Sequence, residues 1–380
     1  MGKFFQYIIL LSIIISIGYG YFKISTTYPQ IIPVPFTLPN IEKSEIDNVQ
    51  KATILLIGDH SVEILKPAMS RIFSQLGSQF KNKIKVFDWT RANEGIHRTL
   101  HKVQSLEKLP PIIIYMGGSS EFYEKLFHQR DINQIKDNFN KFRDPNVKSL
   151  LMLSKFFGQL IYSPLEMIKL KKEPTPWRSE AIKLAKGNGI NAQMIYEIHY
   201  LLFSNLFKEL VGHIKFRASN LITLTVPVKV TTPPAYVCEN STSESVIDFQ
   251  ISLTKALEKN QTKKYYSMAK NLTFASVGNA KSFYLFGQFN ENLGRTKNAL
   301  FNYRLAHTFD CLQDRSNMII NKIIKDSSIK YGVNFFDFDE LVHRDFGLDF
   351  IFLDHFRPQE KYIIEMEKQL KMKINTLLKY

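Results

Sequence analysis

Short runs of apolar, mostly branched residues recur along the chain and predict the strands of a sheet. Several of these runs end at glycine or polar residues, as buried parallel strands do where they meet functional loops. Helical patterns lie between them, for example at about 62–80 and 94–106. Strands that alternate with helices are typical of a parallel sheet covered on both faces. The predicted strands of this α/β fold are 53–57, 84–88, 111–115, 221–227 and 333–338.

A first helical insertion interrupts this alternation at about 136–216. Its segment 147–170 is strongly apolar, and Pro164 argues against one unbroken membrane span through it. Apolar helices usually pack in a core, so we expect a pair of core helices here. A membrane-facing or lid element is the alternative.

A second insertion, at about 250–308, carries the pattern of two helical hairpins. Small and large residues are placed within 282–306 as in a tetratricopeptide-like unit, where small residues let two helices approach and large ones fill the seam. Since a complete solenoid needs at least about three repeats, we expect an embedded helical module. The residues at these positions are Leu285, Gly287, Asn290, Leu293, Gly294, Ala299, Tyr303 and Ala306.

Residues 4–22 form an apolar stretch without a charged side chain. At about 1.5 Å per residue, such a helix just crosses a hydrocarbon core of roughly 30 Å. Residues 16–22 make a poor cleavage site, so we expect an uncleaved signal anchor, a transmembrane helix over residues 1–23, with a cleaved signal as the alternative. Both place the remainder outside the cytoplasm. Four prolines in residues 24–50 predict an extended spacer before the folded domain.

The composition narrows the class of protein. Hydrophobic residues make up 44% of the chain and charged residues 22%, which excludes a wholly disordered chain, a collagen-like repeat and a multi-span membrane protein. The formal net charge of +15 favours anionic partners such as phospholipid headgroups, acidic glycans or nucleic acid. The lysine clusters at 169–172 and 263–264 lack interleaved aromatic residues, so we expect no nucleic acid among the partners.

The sequence predicts no metal and no cofactor. Cys238 and Cys311 are too few for a cysteine-based zinc site and can form one disulfide at most. His97 and His101 stand four residues apart on a predicted helix, as zinc-binding pairs do. No acidic third ligand accompanies them in the sequence, which favours a solvated basic helix face.

Three segments at strand ends or near the C-terminus carry the candidate chemistry: ILLIGDHSVE at 54–63, IIIYMGGSSEF at 112–122 and FLDHFRPQ at 352–359. Together they resemble the sequence blocks of SGNH hydrolases, also called GDSL-type esterases. The most similar subgroup is the extracytoplasmic bacterial one with embedded tetratricopeptide-like helices. Segments 221–234 and 310–341 resemble later parts of that subgroup.

The resemblance implies a three-layer α/β/α sandwich over residues 51–380, on the periplasmic side of a bacterial inner membrane. It also implies hydrolysis of an ester, or deacylation, on a cell-envelope glycan or lipid. Such an enzyme uses a serine after the first strand, activated by a histidine near the C-terminus, with an aspartate three residues before that histidine. A glycine N–H and an asparagine side chain join the serine N–H in holding the oxyanion.

The first block reads Gly58-Asp59-His60-Ser61 in this chain. The position directly after Gly-Asp, where the family has its nucleophile, holds His60, and Ser61 can serve only if the turn shifts by one residue. Gly95 corresponds to the oxyanion glycine of the second block.

The third and last blocks depart further from the family pattern. Gly118, Ser119 and Ser120 stand where the family has Gly-x-Asn, and Ser120 can still donate one hydrogen bond. The family's Asp-x-x-His becomes Asp354, His355, Phe356 and Arg357. Arg357 stays protonated and cannot take a proton from serine.

Three hypotheses follow. In the first, a displaced triad of Ser61, Asp354 and either His355 or His60 hydrolyses an envelope ester. In the second, the pocket persists without the chemistry, and His60 and Arg357 line a cationic cleft for a carboxylate, a phosphate or an acidic sugar. A protein partner could then bind through the helical insertion. In the third, the protein is purely structural, a periplasmic interaction module tethered by its anchor. The alignment of the blocks predicts that 58–61, 118–120 and 354–357 surround one pocket.

Overall fold

The structure is a computed structural model that describes residues 6, 10–18, 41–79, 84–121, 189–234, 244–276, 279–310, 315–348, 350–354 and 356–378. Residues 10–18 are helical. Within the described ranges no helix combines the length and the apolar character that a membrane crossing requires. Most of the predicted anchor and spacer, residues 136–188 of the first insertion, and both cysteines lie outside these ranges, so the predictions made for them stay predictions.

Among the described residues, five parallel strands form one sheet, which confirms the predicted α/β fold. The strand order is β2-β1-β3-β4-β5. Chain direction across the sheet therefore reverses between β1 and β3, and in open α/β sheets ligands bind beyond the carboxyl ends of the strands at such a point. The strands are β1 Ile54–Gly58, β2 Val86–Asp88, β3 Ile112–Met116, β4 Asn220–Leu224 and β5 Asn334–Phe336.

After the helical residues 10–18, the next described helix is α1, which occupies the last part of the predicted spacer. In α1, Val49 is fully buried and Glu45 pairs with Arg91 at 2.8 Å, so this helix packs onto the domain. The helices are α1 Lys43–Gln50, α2 Lys66–Gln79, α3 Ile96–Gln104, α4 Gly189–Phe216, α5 Glu244–Glu258, α6 Thr262–Ala275, α7 Ala280–Asn292, α8 Thr296–Thr308, α9 Met318–Lys330, α10 Phe338–His343 and α11 Glu360–Leu378, and a 3₁₀ helix spans His60–Ile64.

Helices cover both faces of the sheet. Alternate strand residues such as Ile54, Ile112 and Ile222 share one core cluster with α2 and α11. The intervening residues face α4, where the ring of Tyr115 lies 5.3 Å from that of Phe207. This double coverage explains why every residue of β1 and β3 is buried.

The second insertion forms the two predicted hairpins, α5 with α6 and α7 with α8. It begins at Glu244, six residues before the predicted start. At the seam of the second hairpin, a Cβ on Gly287 would lie 2.7 Å from Cδ1 of Tyr303, so only glycine allows this close packing. The small and large positions that suggested the hairpin are therefore in contact. Of the first insertion, the described part is α4.

Candidate functional site

The loops after β1 and β3 leave the sheet side by side. The two strands pair in register from Ile54 opposite Ile112 to Gly58 opposite Met116. Gly58 has a φ of +126°, and a Cβ at this position would lie 2.0 Å from the carbonyl oxygen of Met116. Only glycine fits this backbone conformation and this space. The loops that follow β1 and β3 therefore diverge directly after the Gly58–Met116 pair.

Asp59 joins these two loops. Its Oδ2 accepts hydrogen bonds from the backbone N–H groups of Gly118, Ser119 and Ser120, at 3.0, 2.6 and 2.8 Å. Its Oδ1 accepts one from the N–H of Ser61 at 2.8 Å. The side chain is fully buried, and the four donors replace the water that a carboxylate would otherwise hold. The structure thus brings the first predicted segment, Gly58–Ser61, against the second, Gly118–Ser120.

Ser61 points into the protein from the 3₁₀ helix that begins at His60. Its hydroxyl donates to Oγ of Ser119 at 2.8 Å, and that oxygen also accepts the N–H of Ser316 at 3.1 Å. Only 2% of Ser61 is exposed. In the part of the chain that the structure describes, the hydrogen-bond partner of this hydroxyl is therefore a serine, with no imidazole. We call Ser61, Ser119, Ser120 and Ser316 the serine cluster.

His60 contacts a different serine. Its Nδ1 lies 3.2 Å from Oγ of Ser120, and which atom donates depends on the tautomer. His60 is partly exposed, whereas Ser120 is fully buried. The imidazole thus reaches Ser120, the serine that the sequence resemblance aligns with an asparagine of SGNH hydrolases.

Gly95 lies close to the same loops through Glu121. Gly95 is the N-cap residue of α3, and the next N–H, that of Ile96, donates to Oε1 of Glu121 at 3.0 Å. Glu121 directly follows Ser120 and is buried. Its carboxylate therefore caps α3 and fixes the Gly95 turn beside the end of β3. The sequence shows that the third block contains an acidic residue, Glu121. It does not show that the partner of this residue is the N–H of Ile96.

The third predicted segment is held by its own contacts. Asp354 accepts hydrogen bonds from the N–H groups of Phe356 and Arg357, and Nε of Arg357 lies 2.6 Å from Oδ2 of Asp354. Burial alone would raise the pKa of Asp354, but these N–H groups and the guanidinium hold it below its usual range. The Arg357 side chain is 64% exposed. No described hydrogen bond connects Asp354 or Arg357 to the serine cluster, and His355 lies outside the described residues.

The sequence did not predict the residues that extend the site along the carboxyl ends of the strands. Oγ of Ser316 donates to Oδ1 of Asn321 at 3.2 Å, and the Asn321 amide exchanges two hydrogen bonds with the backbone of Val226, just beyond β4. Asn317 caps α9 through its side chain. A polar residue before an apolar helix is a capping signal, which could have located this turn but not its serine partner.

The chemistry available here is hydrogen bonding by hydroxyls, one imidazole and many backbone amides. Within the described part of the chain, no group of three or more His, Cys, Asp and Glu side chains is arranged to hold a metal ion.

Comparison of the chain with protein-family models, with curated proteins and with solved structures finds no match.

Proposed function

We propose that this protein is a membrane-anchored, extracytoplasmic binding protein with a three-layer α/β/α fold of the SGNH-hydrolase type, and that it does not hydrolyse esters. The observation that carries the proposal is the hydrogen bond from Ser61 to Ser119 at 2.8 Å, inside a buried cluster. A nucleophilic serine needs a base within hydrogen-bond distance and access to substrate. A neutral serine hydroxyl is not such a base at ordinary pH.

The ligand that best suits the site is an anion. His60 is a partly exposed side chain whose Nδ1 contacts Ser120 of the serine cluster, and Arg357 is an exposed cation of the third predicted segment that is already paired with Asp354. The net charge of +15 raises the local concentration of anions near the protein. We propose a carboxylate, phosphate or acidic sugar of the cell envelope as the ligand, with the hairpins α5 to α8 as the surface for a protein partner.

Labelling with a fluorophosphonate probe tests the absence of hydrolysis. The full chain in a mild detergent is treated with the probe beside an active serine hydrolase, and modified peptides are identified by mass spectrometry. We expect no adduct at Ser61, because the probe reacts with serines activated by a base and an oxyanion site. An adduct that disappears in Ser61→Ala would establish a displaced triad and overturn the proposal.

A serine esterase with Ser120 as nucleophile and His60 as base is the second candidate. The distance of 3.2 Å between Nδ1 of His60 and Oγ of Ser120 favours it, although Ser120 is fully buried and would need a local opening before a substrate reaches its hydroxyl. The same labelling experiment distinguishes it, since the adduct would then lie on Ser120 and disappear in both Ser120→Ala and His60→Gln.

The melting temperature of the protein with acidic or neutral glycans tests the proposed anion binding. A rise with acidic glycans that is lost in His60→Gln or Arg357→Ala supports it.

A further inference from the structure

Large apolar side chains are exposed in the segment that follows α10. Leu348 is 84% exposed, Phe350 58% and Leu353 61%, and Phe356 is 37% exposed. Exposed apolar residues that stand alone are normal, whereas several within one short segment mark an interaction surface. Leu348 and Phe350 line one pocket, and Leu353 and Phe356 belong to one turn. We call these four side chains the apolar tip.

Buried neighbours hold the apolar tip in place. Ile351 and Phe352, which lie between its two halves, are 9% and 2% exposed and belong to the core cluster that includes the strands. Phe352 pairs with Pro358 in an antiparallel bridge, and the N–H of Leu353 donates to the carbonyl oxygen of Arg357 at 2.8 Å. The backbone under the exposed side chains is therefore fixed, so binding through them costs little ordering entropy.

A close backbone approach sets the position of Leu348. Gly347 has a φ of +81°, and a Cβ there would lie 2.3 Å from Cγ2 of Thr296. The loop after α10 therefore packs directly against the first turn of α8. As a result, Leu348 and Lys297 line the same cavity, which has an apolar and a cationic side chain at its border.

Cations accompany the aromatic residues of the apolar tip. Nζ of Lys229 lies 5.9 Å from the ring centroid of Phe350. The guanidinium carbon of Arg357 lies 5.5 Å from the ring centroid of Phe356. Within the described part of the chain, Lys229 and Lys297 have no ion pair, so both charges are available to an anion.

The described acidic residues of this surface each have a partner. Asp345 lies 3.6 Å from Nζ of Lys361, and Asp354 lies 2.6 Å from Nε of Arg357. Glu291, in the wall of the neighbouring pocket, accepts a tyrosine hydroxyl at 2.5 Å. The two lysines therefore give the surroundings of the apolar tip a positive character.

We propose that the apolar tip enters the interfacial region of a bilayer that contains anionic phospholipid. The apolar side chains of such a surface reach the boundary of the acyl chains, and adjacent cations meet the phosphates. A bilayer accepts separate side chains without the complementary shape that a protein partner must supply. The proposal rests on the membrane anchoring proposed above, because residues 24–42 can span at most about 65 Å and would keep the domain within reach of the same bilayer.

Site-specific photo-crosslinking of the full chain in vesicles tests the proposal. Benzoylphenylalanine is introduced at Leu353, the chain is reconstituted into vesicles of equal parts phosphatidylcholine and phosphatidylglycerol, and adducts are identified by mass spectrometry after irradiation. Phe216 is the matched control position, since it is 88% exposed and lies just before the amino end of β4, whereas the apolar tip follows the carboxyl end of β5. We expect at least about fivefold more lipid adduct at Leu353 than at Phe216, because acyl chains reach only side chains at the interface.

Substitutions of charge test the contribution of the cations. Lys229→Glu/Lys297→Glu should lower the lipid adduct at Leu353 by about threefold or more, since two carboxylates would then face the phosphates. Lys263→Glu/Lys270→Glu makes the same change of charge on exposed residues of α6 and should leave the adduct unchanged.

A lipid adduct at Leu353 that exceeds the control and falls in Lys229→Glu/Lys297→Glu supports the proposal. Equal lipid adducts at Leu353 and Phe216, a yield that the two charge variants change alike, or adducts of Leu353 only with a second copy of the chain overturn it. Leu348 is a second position for the crosslinker if the first one alters the circular dichroism spectrum.

An alkaline carbonate wash of the same vesicles tests the anchor separately. A chain that is retained without a lipid adduct at Leu353 refutes the contact of the apolar tip and leaves the anchor in place. A chain that carries the adduct but is washed off refutes the anchor and supports the contact.

Discussion

The carboxylate of Asp59 accepts the backbone N–H of Ser119 at 2.6 Å across the gap between the loops that follow β1 and β3. This is the shortest of four hydrogen bonds that converge on one buried side chain. A catalytic site needs polar groups that can act on a substrate. Asp59, the aspartate of the first block, is buried and holds the two loops together instead. Its replacement should therefore affect stability directly.

We expect Asp59→Asn to lower the free energy of unfolding by about 2–4 kcal/mol, because an NH₂ group would face backbone donors that then lack an acceptor. Urea unfolding of the full chain measures the change. Asp248→Asn, at an exposed position of α5, is the control and should stay within about 0.5 kcal/mol of the parent chain. Equal stability of Asp59→Asn and the parent would show that the four hydrogen bonds contribute little.

Gly58→Ala should destabilise the protein by more than about 2 kcal/mol, since the new Cβ meets the Met116 carbonyl and the positive φ is strained for alanine. Gly212→Ala is the matched substitution within α4, where an added Cβ meets no atom within 4 Å. There we expect a gain of up to about 1 kcal/mol from helix propensity. Thermal unfolding of both variants measures the contrast, and similar melting temperatures would contradict the geometry at Gly58.

A buried ion pair links Lys102 of α3 to Glu94, with Nζ 2.6 Å from Oε1 and both side chains at most 1% exposed. Burial lowers the pKa of Lys102 and raises that of Glu94. Lys102→Met should cost about 3–5 kcal/mol because it leaves the Glu94 carboxyl buried without its cation.

The double variant Lys102→Met/Glu94→Leu should recover part of this loss, since no charge then remains to be desolvated. A double-mutant cycle on the free energy of unfolding, with Glu94→Leu as the second single variant, measures the coupling. Additive losses in the cycle would mean that the pair acts as two independent residues.

His307 makes stability depend on pH. Burial lowers its pKa to about 3, and Arg315 adds to this shift, while the unfolded value is near 6.5. Between these values the unfolded chain binds a proton that the folded protein does not, so this residue lowers stability as pH falls through that window. In His307→Gln the fall should be smaller, and the stability difference from the parent should narrow between pH 7 and pH 4. Urea unfolding at several pH values measures it, and parallel profiles would refute it.

The predicted anchor gives a test at the membrane. A chain without residues 1–23 should no longer sediment with phospholipid vesicles after an alkaline carbonate wash, because the apolar stretch would supply the insertion energy. A chain without residues 24–40 keeps that stretch and should still sediment. Retention of the first variant on washed vesicles would mean that another part of the protein inserts.

The sheet could be predicted because its signal is local. Each apolar run is long enough for one buried strand, and all five predicted strands are confirmed, although β2 begins at Val86 and β5 ends at Phe336, inside the predicted runs. The helical hairpins were predictable for the same reason, since small residues such as Gly287 show where two helices pack closely together.

The sequence predicted which loops lie together at the site, but it did not predict the contacts of their side chains. Parallel register places the segments after β1 and β3 together, and the two do meet. The direction of each side chain is set by contacts distant in sequence: Ser61 is turned inward by the 3₁₀ helix and by Ser119, and Ser316 comes from 197 residues further along the chain than Ser119. The Asp354–Arg357 pair forms a local turn, which the block pattern does not encode.

The strand order has a consequence for association. In the part of the chain that the structure describes, the outer strands of the sheet are β2 and β5, and each is three residues long. At one of these edges Asp88 ends β2 and binds Lys66 at 2.8 Å. Short edge strands with charged residues offer too few free backbone groups for another chain to extend the sheet. Self-assembly by strand addition is therefore disfavoured, and contacts with other macromolecules are expected to use the helical and loop surfaces.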